Sequence, residues 1–255
     1  MYPTNNILVS TILLCCLSIL NAEQYGVDVS FPIHNMLPHK AWQAQRYDRM
    51  MQGCYSTYSE SECSRVEMQR IEQNNEQART QHNYTQLGFG LARTPTLAWE
   101  AIKTFYNKNK DRQHQERWPR GNTYTNHWDS TTSFISVEEA SDGGSAQLKE
   151  KIWNGVKPII EEWIGQKIYP TSQYGIRLYS SGSVLSTHVD RLPLVASCIV
   201  NVDQDLDSPW PIEVYSHDGQ AYNVTMAPGD MVLYESSTVL HGRPTPLHGR
   251  SYANM

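Results

Sequence analysis

The chain has 255 residues, and its 21 basic and 26 acidic side chains give a formal net charge of -5. A chain of this length can bury a sizeable core without metal or disulfide staples. Its hydrophobic fraction of 39% and charged fraction of 18% exclude a disordered chain, a collagen and a coiled coil. The acidic balance lacks the concentrated basic face that duplex nucleic acids require, so we expect no nucleic-acid partner.

The N-terminus carries an apolar run of fourteen residues, Ile7 to Leu20, interrupted only by Ser and Thr. A membrane span needs about 20 residues, so this run is short for one. It is typical of a secretory signal, and Asn21-Ala22 offers a cleavage point. We therefore predict that residues 1–22 are a signal peptide, with a signal-anchor and a buried helix as alternatives. The protein is expected in the endoplasmic reticulum lumen or outside the cell without a stable membrane span, or in the endoplasmic reticulum membrane if the signal is an uncleaved anchor.

Three further features depend on this entry into the secretory pathway. Asn83 and Asn223 each begin an N-glycosylation sequon, although such triplets also arise by chance. Cys54 and Cys63 are close enough in sequence to form a small disulfide loop in an oxidising lumen. Cys198 lies in an apolar run, which favours a buried free thiol.

Residues 23–140 are predicted to form a mostly helical N-terminal region. Residues 41–52, 60–79 and 95–106 each have helical character, and the third has a clear apolar face. The second is rich in Gln, Glu and Arg, so we expect an exposed or partly ordered helix there.

Residues 141–255 begin with the strongest helical pattern, in which apolar residues recur at 3.6 spacing over 147–164. From Tyr174 onward the pattern changes to short strands separated by turn residues. The predicted strands are 175–179, 194–202, 211–215, 222–226, 231–234 and 249–254. Helices followed by short strands predict an α+β fold with a mainly β core, either a β-sandwich or a jelly roll, supported by N-terminal helices.

One short segment carries two residues of metal-ligand type, His188 and Asp190. On an extended segment, residues i and i+2 point to the same face. A neutral imidazole and a carboxylate together suit a divalent metal of intermediate hardness. The pair alone is a weak signal, and the alternative is a structural hydrogen-bonded pair.

A second segment strengthens the metal hypothesis. His241 lies 51 residues after Asp190, and Arg250 follows nine residues later in a predicted strand. Two histidines and one carboxylate on one face of an iron ion leave three positions open. Two of these can take a bidentate keto-acid and the third O₂. An Arg fork can pair with the far carboxylate of a dicarboxylic acid, or form a surface salt bridge instead.

The segment from Tyr174 to Asn254, about a third of the chain, resembles the iron(II)- and 2-oxoglutarate-dependent dioxygenases of the prolyl 4-hydroxylase-like branch. The matching residues are Tyr179, Gly182, His188, Asp190, Pro228-Gly229-Asp230, His241, Gly242 and Arg250. The resemblance implies a double-stranded β-helix within residues 141–255, a domain that also includes the leading support helix. It implies that His188, Asp190 and His241 bind iron, that Arg250 holds the C5 carboxylate of 2-oxoglutarate, and that Tyr179 helps to hold it.

The activity implied by this resemblance is hydroxylation of an unactivated C–H bond, with release of succinate and CO₂ and with ascorbate as auxiliary reductant. The expected substrate is a prolyl residue of a peptide or secreted protein, including proline-rich ones. Collagen-type prolyl hydroxylases usually carry Lys where this chain has Arg250. The family's core usually continues beyond this strand, so a domain truncated near Met255 is one expectation. The alternative function is a non-catalytic jelly-roll module that binds a metal or another ligand.

Other polar residues near these motifs have two readings each. Arg177 and Arg191 flank the metal segment and could contact substrate. His127 lies in a polar and aromatic cluster that could line a substrate cleft, or it could be a satisfied interior histidine. His217 follows a predicted strand at a hairpin turn, so we expect it to be exposed to solvent.

Overall fold

The computed structural model describes Phe31 and residues 41–255, and the predicted signal peptide lies outside these residues. Within residues 41–255 the chain forms four α-helices and eleven β-strands. The helices are α1 Ala41–Thr57, α2 Glu60–Thr80, α3 Thr96–Asn109 and α4 Ala146–Ile164. The strands are β1 Phe89–Arg93, β2 His114–Gln115, β3 Thr132–Ser136, β4 Gly175–Ser180, β5 Leu185–His188, β6 Ser197–Leu206, β7 Ile212–Tyr215, β8 Ala221–Val224, β9 Asp230–Tyr234, β10 Leu240–Arg243 and β11 Gly249–Asn254.

The last eight strands form a jelly roll. The larger sheet has the order β1-β9-β6-β11-β4-β3-β2, and the smaller has the order β5-β10-β7-β8. All pairs between these strands are antiparallel, and consecutive strands cross repeatedly from one sheet to the other. This is the strand order of a double-stranded β-helix, so the predicted α+β fold with a β core is confirmed.

The N-terminal region contributes strands as well as helices. β1 pairs with β9 at one edge of the larger sheet, and β3 pairs with β4 toward the other edge. The larger sheet therefore continues across the predicted boundary between residues 23–140 and 141–255. Among the residues that the structure describes, no helix combines the length and the apolar character that crossing a bilayer requires.

Helix α4 supports the larger sheet with an apolar stripe, as its sequence pattern predicts. Ser145 caps its N-terminus by accepting a hydrogen bond from the Leu148 amide at 3.1 Å. Gly165 ends the helix at φ 67°, a left-handed conformation that favours glycine. Together with α3, the stripe packs against apolar residues of β4, β6 and β11 in the main core. The buried residues of α4 are Ile152, Val156, Ile160 and Ile164.

Helices α1 and α2 form a hairpin held by the predicted disulfide. Cys54 and Cys63 are bonded and fully buried, while Cys198 is a free, partly buried thiol. The prediction of an exposed or partly ordered helix at α2 is wrong, because α2 buries a polar stripe. The buried polar residues of α2 are Glu67, Arg70, Asn74 and Gln77. A hydrophobicity pattern does not predict the burial of these residues, because their burial depends on hydrogen-bond partners elsewhere in the chain.

Candidate metal centre

The three predicted metal ligands meet at one end of the jelly roll. His188 ends β5 and lies directly opposite His241 on β10, while Asp190 follows two residues after His188. Asp190 Oδ1 lies 3.7 Å from His188 Nε2 and 3.8 Å from His241 Nε2. One ligand atom from each residue lies within 4.8 Å of the others. Pairing of β5 with β10 therefore brings together ligands that are far apart in sequence.

Backbone carbonyls orient both imidazole rings. His188 Nδ1 lies 2.7 Å from the Ser186 carbonyl oxygen, and His241 Nδ1 lies 2.9 Å from that of Val239. A carbonyl oxygen can only accept, so each Nδ1 must carry the hydrogen. The Nε2 atom of each ring then faces Asp190. This is how proteins orient the imidazoles that ligate metals.

The charge states of this cluster also suit a cation. Burial, followed by repulsion from His241, lowers the pKa of His188 well below its usual value. His188 is therefore neutral at physiological pH, which is the form that ligates metals. Tyr234 donates a hydrogen bond to Asp190 Oδ2 at 3.3 Å. Burial and the nearby Asp190 carboxylate raise the pKa of Tyr234 well above its usual value, so Tyr234 stays a donor.

Together these observations show that the three residues fit a divalent metal. Two imidazole nitrogens and one carboxylate oxygen form the donor set of a facial triad. Each ring is held by a backbone carbonyl, and the carboxylate is held by Tyr234. His188 and Asp190 are partly exposed, whereas only 2% of His241 is exposed. Open space therefore remains on one side of the cluster.

The buried stripe of α2 and the neighbouring Gln73 hold the segment that carries two of the predicted ligands. Gln73 Nε2 donates to the Val189 carbonyl at 2.8 Å, and Gln77 Nε2 donates to the Asp190 carbonyl at 2.6 Å. Asn74 accepts a hydrogen bond from the Val189 amide at 3.0 Å. The α2 side chains thus fix the backbone on both sides of Val189.

Two residues of the same stripe extend this contact to the start of the ligand segment. Arg70 donates to the Thr187 carbonyl through Nη1 and to Glu67 through Nε at 3.0 Å. Asn74 Nδ2 also donates to the Thr187 carbonyl, at 3.3 Å. The residue before His188 is therefore held by two α2 side chains. The sequence signal for this role is that polar residues recur about every 3.6 residues along α2. Hydrophobicity patterns record only apolar residues and therefore do not show it.

A cavity of about 850 Å³ opens beside the three ligands. Its lining includes Arg177 and the predicted co-substrate residue Tyr179. Arg177 pairs bidentately with Glu116, at 2.8 and 2.6 Å, so its charge is already matched. Tyr179 is buried, and its ring contacts Trp210 edge-on at 5.1 Å between centroids. The structure thus places Tyr179 at the cavity, and its role in holding 2-oxoglutarate stays a prediction.

Arg250, the predicted carboxylate anchor, does not reach this cavity. Its side chain is 61% exposed and pairs with Asp205 and with Asp207, the latter at 2.9 Å. The physical reason is a register shift between Gly249 and Ser251, where β11 pairs with β6. Such a bulge changes the face to which the next residue points. Arg250 therefore forms the surface salt bridge that was its alternative reading.

The cavity contains another arginine, which sequence reasoning missed. Arg243 lies two residues after His241 on β10, lines the cavity and is only 2% exposed. The signal in the sequence is its i and i+2 spacing from His241, although β10 is irregular between these two residues where it pairs with β5. The resemblance predicts Arg250, not Arg243, as the carboxylate anchor.

The other polar residues considered near the motifs, His127, His217 and Arg191, have partners within the protein. His127 Nε2 lies 2.8 Å from the Tyr58 hydroxyl, and its ring stacks on Trp118 outside the cavity lining. His127 is therefore a satisfied interior histidine. The expectation of a solvent-exposed His217 is wrong, because its side chain is only 11% exposed and lies 3.1 Å from the Thr238 hydroxyl. Arg191 is exposed, and it contacts the Tyr174 hydroxyl at 3.2 Å.

No protein-family model matches the sequence, and neither does any curated protein. Solved structures similar to this chain include three oxygenases. An oxidoreductase of the 2OG-Fe(II) oxygenase family from Burkholderia pseudomallei is 14% identical, with 66% of this chain and 81% of that chain covered and a TM-score of 0.46. A prolyl hydroxylase in complex with a hypoxia inducible factor peptide fragment, from Trichoplax adhaerens, is 11% identical, with 85% of this chain and 91% of that chain covered and a TM-score of 0.45. A Pseudomonas putida prolyl-4-hydroxylase is 14% identical, with 66% of this chain and 89% of that chain covered and a TM-score of 0.40. At these scores the likenesses assign no activity to this chain.

Proposed function

We propose that the protein is an iron(II)- and 2-oxoglutarate-dependent dioxygenase that hydroxylates an unactivated C–H bond, releasing succinate and CO₂. One observation carries this proposal. Two imidazole Nε2 atoms face one Asp190 oxygen at 3.7 and 3.8 Å, beside a cavity at the end of a jelly roll. A jelly roll hosts many functions, so the fold alone would not support an activity.

The chain's residues have separate roles in this proposal. His188, His241 and Asp190 would hold iron(II), and bound iron(II) supplies the redox chemistry with O₂ that the side chains lack. Tyr234 orients Asp190 through its hydroxyl, and the carbonyls of Ser186 and Val239 keep the ring hydrogens on Nδ1.

Turnover without a primary substrate tests this function directly. Protein reconstituted with Fe(II), ascorbate and 2-oxoglutarate in air should form succinate, measured by mass spectrometry. His188→Ala removes one ligand and should reduce succinate to background. His248→Ala is the matched control, because His248 is an exposed histidine outside the metal centre.

The outcome separates the enzyme from the alternative binding module. Wild-type protein that binds Fe(II) but makes no more succinate than His188→Ala, even with candidate peptides present, would contradict the proposed activity. Equal succinate formation by wild type and His188→Ala would assign turnover to free iron rather than to the protein.

The proposed substrate is a prolyl residue of a peptide or secreted protein. The cavity of about 850 Å³ has room for more than a five-carbon diacid. Two tyrosines among its lining residues face solvent, Tyr169 at 86% and Tyr174 at 52% exposure. Aromatic side chains of this kind are used to bind proline-rich segments. Proline-rich peptides should gain the mass of one oxygen, and peptides with Ala in place of Pro should not.

Action within the secretory pathway is part of the same proposal. The buried Cys54–Cys63 disulfide supports it, because such bonds persist in oxidising compartments. Asn83 is exposed, whereas Asn223 is partly buried within β8, so Asn83 is the expected glycosylation site. Protein from a eukaryotic secretory host should lose mass on enzymatic deglycosylation, and Asn83→Gln should abolish that loss.

A further inference from the structure

Arg243 is a buried cation that lacks a matching anion. The residue is 2% exposed, and among the described residues no carboxylate lies within salt-bridge distance of its guanidinium. A buried charge is costly unless it is paired. Arg177, which also lines the cavity, and Arg250, the predicted anchor, are already matched, Arg177 by Glu116 and Arg250 by two aspartates. An anion beside Arg243 would therefore complete this site.

Aromatic rings hold the Arg243 guanidinium in a fixed orientation. Its central carbon lies 4.5 Å from the Trp210 ring centroid and 4.3 Å from that of Tyr252. Nη1 donates to the Trp210 carbonyl, and Nη2 donates to the Tyr252 hydroxyl at 3.0 Å. Arginine has five N–H donors, so these two contacts leave three for a ligand. A guanidinium held in this way is preorganised for a carboxylate, which it can bind bidentately.

Arg243 is also at a suitable separation from the metal ligands. Arg243 and His241 lie on the same strand, two residues apart, and both line the cavity. Residues at this spacing are about 7 Å apart along a strand. That separation is on the scale of a five-carbon diacid, whose keto-acid end would meet the metal ligands.

We infer that Arg243, on β10, binds the far carboxylate of the dicarboxylate co-substrate, in place of Arg250 on β11. This inference rests on the proposed function. It moves the anchor from the strand where the sequence resemblance puts it to the strand that already carries His241. Tyr252 on β11 then acts as a platform for the guanidinium.

Ligand binding in the absence of turnover tests this assignment. Protein loaded with Mn(II) would be titrated by calorimetry with 2-oxoglutarate and with 2-oxopentanoate, which has a methyl group in place of the far carboxylate. Arg243→Met should weaken 2-oxoglutarate binding by about 10–100-fold. Binding of 2-oxopentanoate should change little, because it never contacted the guanidinium. Arg250→Met is the matched control and should bind both ligands as wild type does.

Two checks keep the result interpretable. Mn(II) affinity, measured by electron paramagnetic resonance, should be the same in wild type and both variants. If Arg243→Met does not fold, Arg243→Lys keeps the charge but loses the bidentate fork, and it should still weaken 2-oxoglutarate selectively.

Several results would overturn the assignment. Equal 2-oxoglutarate affinity in wild type and the Arg243 variant would remove Arg243 from this role while leaving the proposed function intact. Loss of binding in Arg250→Met alone would return the anchor to β11. Wild-type protein that binds Mn(II) but not 2-oxoglutarate would overturn both the assignment and the proposed function.

Discussion

Helices α2 and α4 each dock one stripe of side chains against the jelly roll, but the two stripes have opposite chemistry. The stripe of α4 is apolar: Ile152, Val156, Ile160 and Ile164. That of α2 is polar: Glu67, Arg70, Asn74 and Gln77. Both follow helical periodicity, so both are genuine docking faces. The difference lies in what they meet, since α4 packs on apolar residues of the larger sheet and α2 meets backbone groups of the metal-ligand segment.

The two kinds of contact do different work. Apolar burial stabilises in proportion to area and is not directional. A hydrogen bond requires a donor and an acceptor at defined distance and angle. Asn74, which both donates to Thr187 and accepts from Val189, fixes the position of that backbone in a way that an isoleucine could not. We therefore expect α4 to supply stability and α2 to supply the geometry of the metal ligands.

Breaking the buried ion pair of α2, between Arg70 and Glu67, should have the largest effect on the free energy of unfolding. Arg70→Leu leaves the Glu67 carboxylate buried without its cation and removes a donor to Thr187. Removing one partner of a buried ion pair costs about 3–5 kcal/mol, so the free energy of unfolding in urea should fall by about that amount. Glu67→Leu/Arg70→Leu is the control, because it also removes the stranded charge. The double variant should lose less stability than Arg70→Leu, and a larger loss would contradict this account.

Truncating the apolar stripe at Ile164, the one of its four buried residues outside the cavity lining, should reduce stability without affecting the metal centre. Ile164→Ala removes a buried side chain from the main core, and such changes cost about 2–5 kcal/mol. The Mn(II) affinity of the folded protein should stay at the wild-type value, because Ile164 lies outside the cavity lining. A clear loss of Mn(II) affinity in Ile164→Ala would show that the two helices do not divide these roles.

Much of the fold, and the grouping of His188, Asp190 and His241, could be predicted from the sequence. The last strand was predicted at 249–254 and is observed at Gly249–Asn254, while α4 was predicted at 147–164 and spans Ala146–Ile164. These elements bury apolar residues, and apolar periodicity is the signal that sequence reveals most directly. His188 and Asp190 were predicted because alternation on an extended segment needs no tertiary information.

The rest could not be predicted, because it depends on pairing between distant segments. The polar stripe of α2 looks like a solvated face until its partners on Thr187, Val189 and Asp190 are known. Arg250 points outward because of a bulge in the pairing of β11 with β6, which no local pattern reveals. Arg243 had the right spacing from His241 but resembled no motif residue.

The most selective test of the different roles of α2 and α4 is to remove one uncharged hydrogen-bonding side chain of α2. Gln77 Nε2 donates to the carbonyls of Asp190 and Ser237, at 2.6 and 3.1 Å. Gln77→Ala leaves two backbone carbonyls without this donor, and the cost to the free energy of unfolding should be about 1–3 kcal/mol. Because one of the carbonyls belongs to a metal ligand, Mn(II) affinity should also fall, by about tenfold.

Gln69 provides the matched control for this test, because it is an exposed glutamine on the same helix. Gln69→Ala should leave both the unfolding free energy and Mn(II) affinity unchanged. A helix that only covers the barrel would lose stability in Gln77→Ala while keeping wild-type Mn(II) affinity. That outcome would reduce α2 to a second support like α4, whereas lower Mn(II) affinity in Gln77→Ala but not in Gln69→Ala would support a role of the polar stripe in positioning Asp190.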